Sequence, residues 1–259
     1  MGNSVFYGTP IGAILETLER KNILMEWRLG NLELTLPPQK IVSHFSTAYG
    51  ELLREKDGEI SQEIELMGRY INLAHRAIRR FETTIENDFQ LLQAALHLMV
   101  HEVRNTKNIM VKYSIALDDV PAEFIPSCMI LPYVSAIFRS MRHKSDTELH
   151  IRYSRCSSTT LKCSISSKNC FFYNAIDEFG VAVEPILIQR REVLLKQLLG
   201  ETAKTTIRGN VAHSREEALN FYRTGKASSE IDLYVPILSE DLIEVINTDE
   251  ETMPEEFSV

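Results

Sequence analysis

Ile125-Pro126-Ser127-Cys128-Met129-Ile130-Leu131-Pro132-Tyr133-Val134-Ser135-Ala136-Ile137-Phe138-Arg139-Ser140-Met141 is the stretch on which the reading of this chain turns. It predicts a helix over about 126–142 between extended segments. Met110–Leu117, Glu148–Tyr153, Leu161–Ser167 and Ile231–Val235 alternate apolar and polar residues, as half-buried strands do. A second helix is predicted at about 186–200, with Gly200 as its C-terminal cap, and a third at Glu216–Arg223. Strands with helices on one face describe an α+β sandwich. The stretch also holds the longest apolar run, Met129–Phe138, which contains a proline and falls short of the roughly 20 residues needed to cross a bilayer.

Before residue 104 the pattern is helical. Ile11, Ile14, Leu15, Leu18, Ile23, Leu24 and Trp27 recur at helical spacing until Pro37-Pro38 ends or kinks the run. A long helical stretch follows through Ile41, Phe45, Tyr49, Leu52, Ile60, Ile64, Met67, Ile71 and Ile78. His75, Arg76, Arg79 and Arg80 bunch at its end, where cations favour a helix C-terminus. Another helix, about Glu86–Val103, puts Phe89, Leu92, Leu96, Met99 and Val103 on one face. Two long amphipathic helices of this kind form a hairpin, and such a hairpin commonly completes its core by dimerising. The expected parts are therefore 1–103 (helical dimerisation domain), 104–238 (sandwich) and 239–259 (acidic tail).

The chain has 259 residues, 44% of them hydrophobic, enough for a substantial core. Its formal charge is −8, and the eight acids Glu240, Asp241, Glu244, Asp249, Glu250, Glu251, Glu255 and Glu256 lie in a tail without Lys or Arg, leaving the body near neutral. Such a tail is expected to be solvated and disordered, and it argues against a nucleic-acid partner. The N-terminus lacks a basic flank and an apolar secretory core, so a soluble cytoplasmic protein is expected. Cys128, Cys156, Cys163 and Cys170 show no metal-site spacing and read as buried reduced thiols.

Residues 125–141 resemble the segment I-P-x-L-L-L-Q-P-L-V-E-N-A-I-K-H-G of LytS-type sensor histidine kinases. Ile125-Pro126, Pro132, Val134 and Ile137–Arg139 match it, whereas its Glu, Asn and His fall on Ser135, Ala136 and Ser140. The family's phosphoacceptor segment Q-x-N-P-H-F is similar to Leu36–Ser43, with the proline at Pro38 and the histidine replaced by Gln39. Leu66–Tyr70, Glu86–Phe89 and Arg104–Ile109 resemble later family segments in order. The D-N-G motif falls on Ser167-Lys168-Asn169, and the glycine box falls on Pro185–Arg190, which has no glycine. Leu194–Gly200 and Leu233–Ile237 resemble the closing helix and strand.

The resemblance implies a histidine kinase dimerisation hairpin followed by a degenerate HATPase-like (GHKL) α/β sandwich. The apolar scaffold is kept, while the positions that would hold Mg²⁺–ATP are Ser135, Ala136, Ser140, Ser167 and Asn169. It thus implies that ATP and Mg²⁺ binding is lost and that no cofactor is held. The expected protein is a two-component-type pseudokinase, a homodimer through residues 40–103 with a response regulator or histidine kinase as partner. Two alternatives remain. His44, five residues after Gln39, could accept phosphate as histidine phosphotransferases do, and an atypical ATP-binding kinase could use substitute ligands such as Asp177.

Other residues read as structural. His97 and His101 are an i, i+4 pair without a second pair to complete a metal site. Arg79-Arg80, Arg139 with Arg142, and Arg190-Arg191 read as solvated helix faces. Asp118-Asp119 and Asp177-Glu178 lack a recognisable acid/base partner, and Trp27 reads as a packing residue.

Overall fold

A computed structural model of the chain describes residues 10–35, 62–107, 110–118, 123–141, 146–174, 183–200, 204–224 and 227–251. Helices α1 (Pro10–Thr35) and α2 (Gln62–Arg79) precede strand β1 (Glu82–Thr84) and helix α3 (Ile85–Lys107). Then come β2 (Val111–Leu117), β3 (Phe124–Pro126), α4 (Leu131–Ser140), β4 (Thr147–Ser157), β5 (Thr160–Lys168) and β6 (Phe172–Tyr173). The chain continues through α5 (Val183–Leu199), β7 (Lys204–Gly209), β8 (Val211–Ala212), α6 (Arg215–Thr224), β9 (Ser228–Pro236) and α7 (Glu240–Glu251).

Five strands form one sheet in the order β2-β4-β5-β9-β7, in which only β2 and β4 run parallel. A parallel pair needs a crossover, and the segment carrying β3 and α4 supplies it. Strand pleating sorts the side chains. Leu149, Ile151 and Tyr153 of β4, Leu161, Cys163 and Ile165 of β5, and Ile231, Leu233 and Val235 of β9 are buried, whereas His150, Arg152, Lys168 and Glu230 face solvent. The buried face and the helices share one apolar cluster running from Ile23 to Ile246, continuous across residue 104. Beyond that, α1 packs on α2, α5 and α7. Gly200, at φ +69°, ends α5 as the left-handed cap that the sequence predicts.

Four features depart from the sequence reading. Strand β7 carries one apolar residue, Ile207, and as an edge strand lacks the alternation that marks its neighbours. Helix α4 starts at Leu131, not near 126, because Phe124–Pro126 pairs antiparallel with Glu82–Thr84 and Cys128 takes a left-handed φ of 56°. The acidic segment expected to be solvated and disordered folds as α7 over Glu240–Glu251, with Ile246 fully buried and Asp249 bonded to Arg20 at 2.7 Å. Lastly, α3 packs on α2 and also on the sheet, with Phe89 edge-on to Tyr153 at 5.8 Å. Its Leu92, Leu96 and Val103 are buried within one protomer, with Phe89 and Met99 of the same face partly buried. Residues 40–61 of the expected dimer contact lie outside the described residues.

A buried polar hub joins these layers. The Arg191 guanidinium of α5, 3% exposed, donates to Asn31 Oδ1 of α1 and to Ser127 O at 2.9 Å, and stacks 4.6 Å from the centre of the Trp27 ring. Asn31 Nδ2 donates to Ala77 O at the end of α2 and to Ser127 Oγ (2.9 Å). Ser127 Oγ also accepts from Trp27 Nε1 at 3.2 Å and donates to Arg80 O at 2.9 Å, which uses its full capacity. On the sheet side, Asp88 of α3 accepts from Cys128 N–H and from Tyr153 Oη, each at 3.1 Å. Burial pushes the Asp88 carboxyl up to about 6, opposed by those two hydrogen bonds and by the Arg191 charge. Burial likewise lowers Arg191 from its ordinary value and raises Cys128 to about 12.

Two predictions follow from the hub. Arg191→Ala strands Asn31 Oδ1 and Ser127 O in the interior, and its urea-unfolding free energy is expected to fall by about 3–5 kcal/mol. The second concerns pH. A carboxyl whose folded pKa is raised contributes stability that is complete below its unfolded value and lost as pH rises through the folded one. Stability of the native chain relative to Asp88→Asn should therefore decline between about pH 4 and 6, by on the order of 3 kcal/mol. A flat difference across that window would refute the buried, titrating carboxyl.

Candidate functional site

The positions that the resemblance assigns to nucleotide binding lie on two elements, α4 and the end of β5. The described side chains of helix α4 are buried. Ser135 and Ala136 are 4% and 0% exposed, and the residues around them (Tyr133, Val134, Ile137 and Phe138) are buried too. An apolar helix needs cover on every side, and here the chain supplies it from the segment after β5.

That segment is Cys170-Phe171-Phe172-Tyr173. Ser140 Oγ, at the C-terminal end of α4, donates to Ile137 O at 2.7 Å and accepts the Phe171 N–H at 3.1 Å. The two phenylalanines then point to different neighbours. Phe172 stacks on Tyr133 of α4 with ring centres 6.0 Å apart, and Tyr133 Oη meets Thr205 Oγ1 of β7 at 2.9 Å. Phe171 packs among Phe221 (5.1 Å), Tyr222 (5.2 Å) and Tyr173 (6.5 Å), a satellite cluster under α6. The short parallel pairing of β6 with β8 fixes the path of this segment.

Ser167 and Asn169 stand just before it. Ser167 Oγ lies 2.7 Å from Ser229 Oγ across the β5–β9 pair and accepts the Ser229 N–H at 3.3 Å. Asn169 has a left-handed φ of 63°, donates its N–H to Ala227 O at 2.8 Å, and binds Asp146 O through Nδ2. The structure thus brings Ser140, Ser167 and Asn169 to one corner, linked through residues 170–171, with Ser135 and Ala136 further back on α4.

The hydroxyls of this corner are bonded within the chain. A magnesium-bound triphosphate needs oxygen ligands for the ion and backbone N–H groups that the phosphates can approach. None of the five residues carries a carboxylate, and the hydroxyls of Ser140 and Ser167 and the amide of Asn169 are bound internally. Pro185–Arg190, at the position of the glycine box, lies within α5, where Leu187 and Ile188 are buried. Glu192 is a half-buried acid whose carboxyl is raised by burial and held by a hydrogen bond from Thr205.

His44, Gln39 and Asp177-Glu178 lie outside the described residues. His97 Nδ1 sits 3.4 Å from Tyr113 Oη, and among the described residues no three His, Cys, Asp or Glu side chains converge as a metal site. Cys128, Cys163 and Cys170 are buried and free, whereas Cys156 is exposed, contrary to expectation, and sits at the register shift between Arg155 and Ser157. Asp118 pairs with Arg152 at 2.7 Å. Arg191, read as part of a solvated face, is instead the hub cation. The signal was present: Leu187, Ile188, Leu194 and Leu195 flank it at helical spacing, so it stands in the middle of an apolar face.

No known family profile matches the chain, and no curated protein sequence matches it. Among solved structures it is similar to a mycobacterial sensor histidine kinase, MprB, at 6% identity and a TM-score of 0.33, over 60% of this chain and 97% of that one. It is similar to full-length ShkA in complex with AMPPNP at 11% identity and a TM-score of 0.38, covering 88% of this chain and 45% of that one. The histidine kinase domain of a blue-light activated kinase from Erythrobacter litoralis aligns at 12% identity and a TM-score of 0.37, over 89% and 97% of the two chains.

The packing of this corner can be tested by mutation. Phe171→Ala should lower the unfolding free energy by about 3–5 kcal/mol through the cavity it leaves. Ser140→Ala, which orphans one buried N–H, should lower it by about 1–3 kcal/mol. Urea titrations of both variants check the order.

Proposed function

We propose that this protein is a two-component-type signalling protein with a histidine-kinase-like sandwich that no longer performs nucleotide chemistry. It acts in the cytoplasm as a binding module for a response regulator or a histidine kinase. The observation that carries the reading is the corner formed by Ser140, Ser167 and Asn169, where the two serine hydroxyls are bonded in the interior, the Asn169 amide holds Asp146 O, and Phe172 and Phe171 pack on α4 and under α6. The order of segments along the chain supports it as well. The Ile125-Pro126 entry, the buried helix α4, the strand ending at Ser167 and the helix closing at Gly200 follow one another as the LytS-type resemblance requires. A scaffold kept while its polar ligands are replaced by small or apolar residues fits a protein selected for its surface.

The test is a calorimetric titration of the full chain with Mg²⁺–ATP. Heats indistinguishable from dilution up to millimolar nucleotide are expected. A saturable isotherm in the micromolar range would overturn the proposal and return the corner to catalysis.

A further inference from the structure

Helix α7 has two faces of different character. Leu242, Ile246 and Asp249 lie on one and seat the helix on the body. Glu240, Ile243, Glu244, Asn247 and Thr248 recur on the other at steps of three and four, and with Phe124 of β3 they line a groove of about 380 Å³. The apolar members, Phe124 and Ile243, are half-buried, whereas the two carboxylates are exposed. Glu240 and Glu244 stand one turn apart, where like charges repel. Among the described residues neither has a cation partner: Arg20 is held by Asp249 of the same helix and Arg155 by Glu123 beside Phe124, each at 2.7 Å. Residues 240–259 contain no Lys or Arg that could answer the charge. A metal ion does not answer it either, since among the described residues no three ligating side chains converge.

We infer that this groove receives a basic amphipathic helix of a partner protein. Shape and charge select that occupant. The groove follows one helix face from Glu240 to Thr248, about 12 Å at the rise of an α-helix. In helix-in-groove recognition an apolar stripe lies along the groove and the polar flanks meet its rim. The complementary pattern here is Lys or Arg at positions i and i+4, facing Glu240 and Glu244, with apolar residues at i+3 and i+7 against Phe124 and Ile243. The negative end of the α7 dipole, in the turn that starts at Thr248, adds to the attraction for a cation. The groove shares no residue with the corner of Ser140, Ser167 and Asn169, so Mg²⁺–ATP bound there would leave it standing.

The experiment is a fluorescence-anisotropy titration of a labelled helical peptide with the full chain. The peptide is built from Leu, Lys and Ala in that pattern, and a scrambled peptide of the same composition is its control. Saturable binding with a micromolar Kd that weakens with added salt is expected. Glu240→Gln with Glu244→Gln should weaken it by about tenfold with circular dichroism unchanged, since both side chains are exposed. Glu255→Gln with Glu256→Gln, further along the acidic segment, should leave it unchanged. Replacing the peptide's leucines by alanine should also cost about tenfold, which reads the apolar part of the groove without altering the protein. Absence of saturable binding overturns the inference. Equal affinity for the scrambled peptide, or an equal loss in the Glu255 and Glu256 variant, overturns it as well, because the segment would then attract any polycation. Self-association of the chain that Glu240→Lys with Glu244→Lys abolishes would put a second copy in the groove and overturn the partner helix.

Discussion

A guanidinium shut away from water is the constraint around which this molecule is arranged. Arg191 lies on the face of α5 that looks into the protein, and an isolated cation there would be prohibitive. It is tolerated because three elements converge on it. Helix α1 brings the Asn31 carbonyl and the Trp27 ring, the turn before α4 brings the Ser127 carbonyl, and α3 brings the Asp88 charge. None of these groups is displaced without stranding another, because Ser127 and Asn31 are saturated by the same network. The helical layer and the sandwich are therefore registered by hydrogen-bond geometry as well as by apolar contact.

The same economy explains the corner at the end of α4. A site built to bind a polar ligand leaves donors and acceptors waiting, at a cost in stability. At this corner the described hydroxyls are bonded within the chain. Ser140 is used to hold the backbone of Phe171, Ser167 to tie β5 to β9, and Asn169 to turn the chain. The aromatic run after β5 then fills the room with carbon. Each contact is small, and together they tie the corner into the core.

Much of this architecture was legible in the sequence. Period-two alternation marked β2, β4, β5 and β9, and the Gly200 cap marked the end of α5. Less visible were features set by distant partners. The strand nature of Phe124–Pro126 depends on Glu82–Thr84, forty residues away in the chain, and no local pattern announces it. Strand β7 is polar because it is an edge. Segment Glu240–Glu251 read as solvated because its charges outweighed Leu242, Ile243 and Ile246, the residues that seat it. At the positions that the resemblance assigns to nucleotide binding, the sequence supplies only the residue types, Ser, Ala and Asn. How Phe171 and Phe172 pack could not be read from it, since a sequence does not say which way two adjacent aromatic rings turn.

Helix α7 illustrates how far such dependence reaches. Its first turn carries Glu240 and Asp241, which suit the positive end of a helix, but its last turn carries Asp249, Glu250 and Glu251, where the backbone dipole is already negative. On its own that end would unwind. The counter-charge comes from outside, from Arg20 of α1, 229 residues away. The C-terminal helix thus borrows its last turn from the N-terminal one. Whatever loosens the seat of α1 will show first as fraying at the opposite end of the chain.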